Sequence, residues 1–161
     1  MTKNPDIIFP LSENTSSADE TESLGKKLAA VLCDYESFPR FIALYGELGA
    51  GKTAFVRGFV SEIAPSARVK SPTFALVHEY PAFPSPVFHF DMYRIGSEDE
   101  LYSTGFYDYL SRRSFILAEW SENIPYALPD RYIEVRIVKD KAVPDSRRIT
   151  INLAESKETQ K

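Results

Sequence analysis

Hydrophobic positions along the chain follow two different spacings, and the change from one to the other separates predicted helices from predicted strands. The first helix is predicted from four apolar residues that recur every three or four positions: Leu24, Leu28, Val31 and Leu32. Ser17, followed three residues later by Glu20, is typical of a capping box at the start of such a helix. Cys33 continues the apolar face, and we expect it in the core rather than acting as a nucleophile.

Short apolar runs predict strands between the helices. Residues 41–45 form a continuous apolar run, and 114–120 is a largely apolar segment that ends at Glu119-Trp120. A third candidate is 87–93, and 132–138 and 148–153 alternate apolar with polar positions. Helical spacing returns in residues 55–63, and shorter helices are predicted after Ser97 and Gly105. This order predicts an α/β fold in which a mixed, mostly parallel sheet is flanked by helices. We expect a single domain over residues 1–161, with an ordered core from about 7 to 154 and a polar C-terminal tail.

Composition narrows the class of protein. The 161 residues carry 19 Lys+Arg and 23 Asp+Glu, a net charge of −4, which argues against binding nucleic acid through charge alone. A single cysteine and the lack of a signal peptide predict a reducing, cytoplasmic location. No apolar run approaches the ~20 residues that span a bilayer, so we expect no membrane association. Aromatic residues make up 13% of the chain, which fits either a ring-filled core or an aromatic binding surface.

The segment that follows the first predicted strand carries the most specific chemistry. Gly46-x4-Gly51-Lys52-Thr53 matches the phosphate-loop pattern G-x4-G-K-[ST] without a mismatch. Its glycines let backbone N–H groups turn inward around an anion, Lys52 reaches the β and γ phosphates, and the Thr53 hydroxyl is a ligand for Mg²⁺. The predicted nucleotide contacts in this loop are Leu48, Gly49, Ala50, Gly51, Lys52, Thr53 and Ala54.

Two acidic residues end predicted strands where a phosphate-loop protein needs carboxylates. Asp91 and Glu119 are candidates for holding Mg²⁺ and for orienting the attacking water, and the sequence leaves open which of them activates the water. Thr73, in a proline-containing segment, is either a switch residue that senses the γ-phosphate or an ordinary turn threonine. Trp120 is either core packing or an aromatic surface beside the nucleotide. His78 and His89 are too separated in sequence to indicate a metal or catalytic cluster.

Four strings taken together resemble one family. They are GELGAGKT at 46–53, KSPTFALV at 70–77, HFDMYR at 89–94 and AEW at 118–120. These strings resemble the signatures of the TsaE family, the bacterial ATPases of the tRNA threonylcarbamoyladenosine pathway. The resemblance extends from about Ile7 to Leu153, which is nearly the whole chain.

The resemblance implies a P-loop nucleoside triphosphate hydrolase fold that binds ATP and Mg²⁺. It implies that Thr53 and Glu119 lie near the metal, that Asp91 is needed for hydrolysis, and that Thr21 approaches the adenine. It also implies two protein partners, TsaD and TsaB, which hold the tRNA so that the ATPase meets it only indirectly. Ala54 stands where the family often has a second threonine, which removes a possible hydroxyl contact to the α-phosphate.

The phosphate loop also allows functions from other classes. A small-molecule kinase uses the same loop, but it needs an acceptor pocket and usually an arginine-rich lid, and neither Arg112-Arg113 nor Arg147-Arg148 lies in a clear lid. A nucleotide-gated binding module would use the loop without important hydrolysis. A GTPase is disfavoured because the chain has no Asn-Lys-x-Asp string.

Overall fold

A computed structural model describes residues 7–72 and 75–156 of the chain. Within them, one seven-stranded sheet has the order β1-β7-β6-β2-β5-β4-β3. The strands are β1 Leu11–Thr15, β2 Phe41–Tyr45, β3 Val77–Tyr80, β4 Val87–Asp91, β5 Phe115–Glu119, β6 Arg131–Lys139 and β7 Arg147–Glu155. The helices are α1 Ala18–Asp34, α2 Lys52–Ile63, α3 Glu98–Ser103 and α4 Phe106–Leu110, and two 3-10 turns follow β5 at Ser121–Asn123 and Pro125–Ala127.

The centre of the sheet is parallel and its margins are antiparallel. β2 lies between β5 and β6, both parallel to it, and β4 runs parallel to β5. β3 pairs antiparallel with β4, and the β6–β7–β1 side is also antiparallel. The predicted mixed α/β sheet is therefore confirmed, and the carboxyl ends of its four parallel strands share one edge.

Alternation along β2 divides the core into two layers. Ile42 and Leu44 face the layer formed with α1 and α2, whereas Phe41 and Ala43 face the layer formed with α3 and α4. The second layer is rich in rings that meet edge to face, such as Phe90 against Phe106 at 5.1 Å between centroids. Much of the high aromatic content therefore fills this core layer.

The predicted capping box at Ser17 is present, a second one begins α3 at Ser97, and the two share one difference from the usual arrangement. The Ser17 and Ser97 hydroxyls accept the N–H of Glu20 and Glu100 respectively, which satisfies an open donor at the start of each helix. Each glutamate carboxylate, however, accepts the N–H of the residue before the cap, as Glu100 does from Gly96 at 2.9 Å. The two boxes therefore fix the chain that enters each helix as well as the helix itself.

The structure contains two strands that the sequence did not predict, and it contradicts one expectation. The sequence predicted neither β1 nor β3, because edge strands this short and polar owe their conformation to pairing with β7 and β4. The expectation that Cys33 lies in the core is wrong, since the residue is exposed. At about 100° per helical residue, position 33 lies opposite Leu24, which is buried.

None of the helices within the described ranges combines the length and apolar character needed to cross a membrane.

Helices α1 and α2 pack so closely that two glycines are required where they cross. A Cβ at Gly25 would lie 2.1 Å from the Phe55 carbonyl oxygen, and a Cβ at Gly58 would lie 1.8 Å from the Glu22 carbonyl oxygen. Both obstacles are backbone atoms, which cannot turn aside as a side chain can. Any larger residue must therefore push the two helices apart.

We predict that Gly58→Ala lowers the free energy of unfolding by about 3 kcal/mol, the upper part of the usual range for overpacking. Urea unfolding followed by circular dichroism measures it. Gly96→Ala is the matched control, because the nearest atoms to its added methyl are the Glu100 carboxylate oxygens at 3.6 Å. A Gly58→Ala protein as stable as this control would contradict the proposed close packing.

Candidate functional site

The phosphate loop joins the carboxyl end of β2 to the start of α2. Gly49 and Gly51 have φ of 75° and 112°, values that side-chain-bearing residues rarely adopt. Gly51 is the N-cap of α2 and offers no capping side chain, so the first N–H groups of the helix are left to a ligand. The loop and the helix N-terminus together form an arrangement that suits an anion.

A cavity of about 230 Å³ collects the predicted site residues. Its lining consists of Leu48, Gly49, Ala50, Gly51, Lys52, Thr53, Ala54, Ser71, Asp91, Glu119 and Trp120. All seven loop residues predicted from the motif are present, together with both predicted carboxylates and the tryptophan. Ser71, which belongs to the KSPTFALV string at 70–77 but was not predicted as a nucleotide contact, also lines the cavity.

Lys52 is almost fully buried, with 6% of its surface exposed. Its Nζ donates to the carbonyl oxygens of Gly46 and Glu47 and lies 4.0 Å from the centroid of the Trp120 ring. Burial lowers the pKa of Lys52, while the nearby carboxylate of Glu119 acts in the opposite direction. The ammonium is thus held against its own loop in a place where an anionic ligand would stabilise its charge.

Glu119 connects three elements through its buried carboxylate. The residue is 3% exposed, its Oε1 accepts the Thr53 hydroxyl at 3.0 Å, and its Oε2 lies 3.0 Å from His89 Nε2. His89 is fully buried, and its Nδ1 has no hydrogen-bond partner among the described residues. Because Nε2 faces a carboxylate, we assign the ring proton to Nε2, which donates to Glu119. The spacing of the two histidines in the sequence did not indicate this role for His89, since nothing in an apolar strand points to a partner thirty residues away.

Asp91 lies beside Glu119, because the register of β4 and β5 pairs the two residues. Its Oδ1 accepts the N–H of Tyr93 at 2.9 Å. Burial raises the pKa of Asp91, the hydrogen bond from Tyr93 lowers it, and the charge of Glu119 raises it further. The site therefore holds one carboxylate fixed by two side-chain partners and a second whose ionised form is disfavoured.

Trp120 forms a wall of the cavity. It has a φ of 59°, an uncommon backbone conformation for a residue other than glycine, and such strain tends to be found at functional sites. Its ring packs against Tyr93 at 4.9 Å between centroids. Of the two interpretations of Trp120, the aromatic surface beside the predicted nucleotide site is the one that this placement favours.

One predicted contact, Thr21, is not among the residues that line this cavity. Thr21 is buried on α1, its hydroxyl is 2.8 Å from that of Thr15, and its methyl lies near Gly51, beneath the loop. Its predicted approach to adenine stays a prediction. Thr73 falls outside the described residues, together with Phe74.

A second cavity adjoins the loop on the β6 side. It has a volume of about 430 Å³ and is lined by Gly46, Glu47, Ile137, Val138, Lys139, Asp140, Lys141 and Pro144. The sequence did not predict this cavity, because it forms between the phosphate loop and the β6–β7 turn. Arg147, at the start of β7, reaches the loop from this side.

The parallel strand order, the loop between β2 and α2 and the acidic residues at the ends of β4 and β5 define a phosphate-loop α/β protein. A family model for the threonylcarbamoyl adenosine biosynthesis protein TsaE matches residues 15–149. The chain belongs to the TsaE family.

Relatives from distant bacteria agree with this assignment. The chain is 40% identical over 114 residues to the tRNA threonylcarbamoyladenosine biosynthesis protein TsaE of Haemophilus influenzae, covering 70% of this chain and 72% of that protein. It is 34% identical over 140 residues to the TsaE protein of Bacillus subtilis, covering 87% of this chain and 84% of that protein. The crystal structure of Bacillus subtilis YdiB superimposes with a TM-score of 0.66 at 26% identity, covering 95% of this chain and 90% of that one.

We predict that His89→Phe destabilises the protein by about 2–3 kcal/mol, because it removes a hydrogen bond from a buried carboxylate. Chemical unfolding at pH 7 measures the loss. His78→Phe is the control, since His78 is only half-buried and its ring contacts a backbone carbonyl, that of Lys70, rather than a charge. Equal effects of the two substitutions would show that His89 does not stabilise Glu119.

Proposed function

We propose that this protein is a Mg²⁺-dependent ATPase that supports threonylcarbamoyladenosine modification of tRNA by acting on a TsaB–TsaD complex. The observation that carries the proposal is the grouping of Lys52, Thr53, Glu119 and Asp91 around one cavity at a glycine-rich helix N-terminus. Nucleotide hydrolysis needs a cation that binds phosphate, a hydroxyl and a carboxylate that hold Mg²⁺, and a further carboxylate that orients the attacking water. Membership of the TsaE family supplies the pathway.

The phosphates of ATP would lie in the loop cavity. The N–H groups from Gly49 to Thr53 would donate to phosphate oxygens, and Lys52 would move from its loop carbonyls to the β and γ phosphates. The cavity on the β6 side opens next to Gly46 and has room for a nucleoside. The base would therefore lie between the loop and the β6–β7 turn.

The residues at the metal position fit Mg²⁺. The Thr53 hydroxyl and the Glu119 carboxylate already lie within hydrogen-bond distance, and both are the hard oxygen donors that Mg²⁺ prefers. Bound there, Mg²⁺ would neutralise charge on the phosphates. The His89 hydrogen bond would keep the Glu119 carboxylate in place.

Asp91 is the carboxylate we assign to the attacking water. Both oxygens of Glu119 contact protein partners, whereas the bond that Asp91 accepts from Tyr93 uses only its Oδ1. The raised pKa of Asp91 also suits a group that accepts a proton during hydrolysis.

The rim and the charge of the molecule support action through partners. Leu48 and Tyr93 are 82% and 59% exposed beside the cavity, and apolar surface of this kind is suited to being covered by another protein. A net charge of −4 gives no general attraction for tRNA, so the partners would hold the RNA. We propose a cytoplasmic location for this role.

We predict that Lys52→Ala lowers ATP turnover at least about a hundredfold, the loss typical when one preorganised charge-stabilising group is removed. Turnover is measured with and without purified TsaB–TsaD, and the partners should accelerate the unmodified protein. Lys27→Ala, at an exposed position on α1, is the control. Undiminished turnover in Lys52→Ala, or fast turnover that partners leave unchanged, would count against the proposal.

We predict that Asp91→Asn keeps ATP affinity within about threefold but reduces hydrolysis at least about a hundredfold, because the proton acceptor is lost. Calorimetry and phosphate release measure the two properties, with Asp99→Asn, at an exposed position of α3, as the control. If modification of tRNA by the reconstituted complex survived fully, the protein would be a nucleotide-gated binding module. Phosphate transfer to a metabolite would instead support a kinase.

The same substitution has a stability signature that depends on pH. Because burial raises the pKa of Asp91 above its unfolded value of about 3.9, the unmodified protein loses stability as the pH rises through the interval between these two values. Asparagine removes this loss, so the melting temperature of Asp91→Asn should increase relative to the unmodified protein as the pH rises.

A further inference from the structure

Arg147 holds the phosphate loop from outside the cavity. Its Nε donates to the carbonyl oxygen of Ala50 at 2.8 Å, and its NH1 donates to the carbonyl oxygens of Pro144 and Ser146. The guanidinium therefore joins the β6–β7 turn to the middle of the loop. Ala50 is 1% exposed, so its carbonyl has little access to water that could replace this donor.

The bond to Ala50 fixes the orientation of a complete peptide unit. The Ala50–Gly51 peptide is trans, and in a trans peptide the C=O and the following N–H point in opposite directions. Holding the Ala50 oxygen towards Arg147 therefore turns the Gly51 N–H away from Arg147. Gly51 itself lines the cavity that collects Lys52, Asp91 and Glu119, whereas Arg147 does not, so an N–H on the side of the peptide away from Arg147 is available to that cavity.

The loop itself supplies little resistance to a rotation of this peptide. Gly51 has no Cβ, so the steric barrier that would hold another residue at one φ is absent. Ala50 N–H donates to the Glu47 carbonyl, which fixes the preceding peptide but not the one that follows. An external donor is needed, and a charged guanidinium makes a stronger bond than a neutral one.

We propose that Arg147 is a positioning residue for nucleotide binding: it holds the Ala50–Gly51 peptide so that the Gly51 N–H is directed at a phosphate oxygen. This inference rests on the proposed ATP site, and it adds a residue that lies outside every motif of the phosphate loop. Since α and β phosphates are present in both nucleotides, ATP and ADP should lose affinity equally when Arg147 is replaced.

Substitutions at Arg147 and at its neighbour test this role. We expect Arg147→Ala to weaken both ATP and ADP about ten- to a hundredfold, the contribution of one hydrogen bond to a charged group. Arg147→Lys, which cannot reach all three carbonyls, should weaken both nucleotides less. Low concentrations of guanidinium ion should restore part of the affinity of Arg147→Ala. Arg148→Ala is the matched control, because the next residue of β7 is exposed and lies on the opposite face of the strand.

Hydrogen exchange of the nucleotide-free protein separates positioning from folding and from the ATP assignment. Amides of residues 46–52 should exchange faster in Arg147→Lys than in Arg148→Ala, while the two variants melt at similar temperatures. If Arg147→Ala does not fold, the affinity of Arg147→Lys decides, and unmodified affinity with unmodified exchange overturns the inference. If the unmodified protein binds no ATP, the proposed function fails, while the exchange result still tests the hold on the loop.

Discussion

The buried carboxylate of Glu119 is the constraint on which the arrangement of the site depends. A carboxylate this far from water is stable only if hydrogen-bond donors replace the lost hydration. Its donors come from α2, through Thr53, and from β4, through His89. Satisfying one buried charge therefore fixes the distance between a helix N-terminus and two strands, and it does so at the edge of the sheet where the phosphate loop turns.

Helix α1 contributes a second constraint from below the loop. Its contact with α2 across Gly25 and Gly58 leaves no space for a Cβ, so α2 cannot slide along its axis without a backbone collision. The Thr21 methyl of the same helix lies 3.8 Å from the position that a Cβ on Gly51 would take. The position of the α2 N-terminus, and with it Lys52, is thus set by packing far from the cavity. A loop that must present N–H groups to an anion needs such a rigid base.

The parts of this site that the sequence could predict are those in which local pattern determines position. The loop follows from a glycine motif after an apolar strand, and Asp91 and Glu119 follow because both end parallel strands. The roles of His89 and Arg147 could not be predicted from a local sequence pattern, since each residue acts through a partner that strand pairing brings near. The Arg147 contact is with a backbone carbonyl, which any residue at position 50 could provide. Edge strands β1 and β3 escaped prediction for the same reason, because their neighbours determine them.

The opposing pKa shifts of Lys52 and Asp91 connect binding to hydrolysis in the proposed function. Burial disfavours the charge of both groups, lowering the pKa of Lys52 and raising that of Asp91. Phosphate oxygens beside Lys52 would stabilise its ammonium, and the same negative charge would raise the pKa of Asp91 further. Nucleotide binding would therefore stabilise the charged form of Lys52 and at the same time make Asp91 a better proton acceptor. Burial thus shifts the pKa values of Lys52 and Asp91 in opposite directions. Together the two shifts would favour hydrolysis only once ATP is bound.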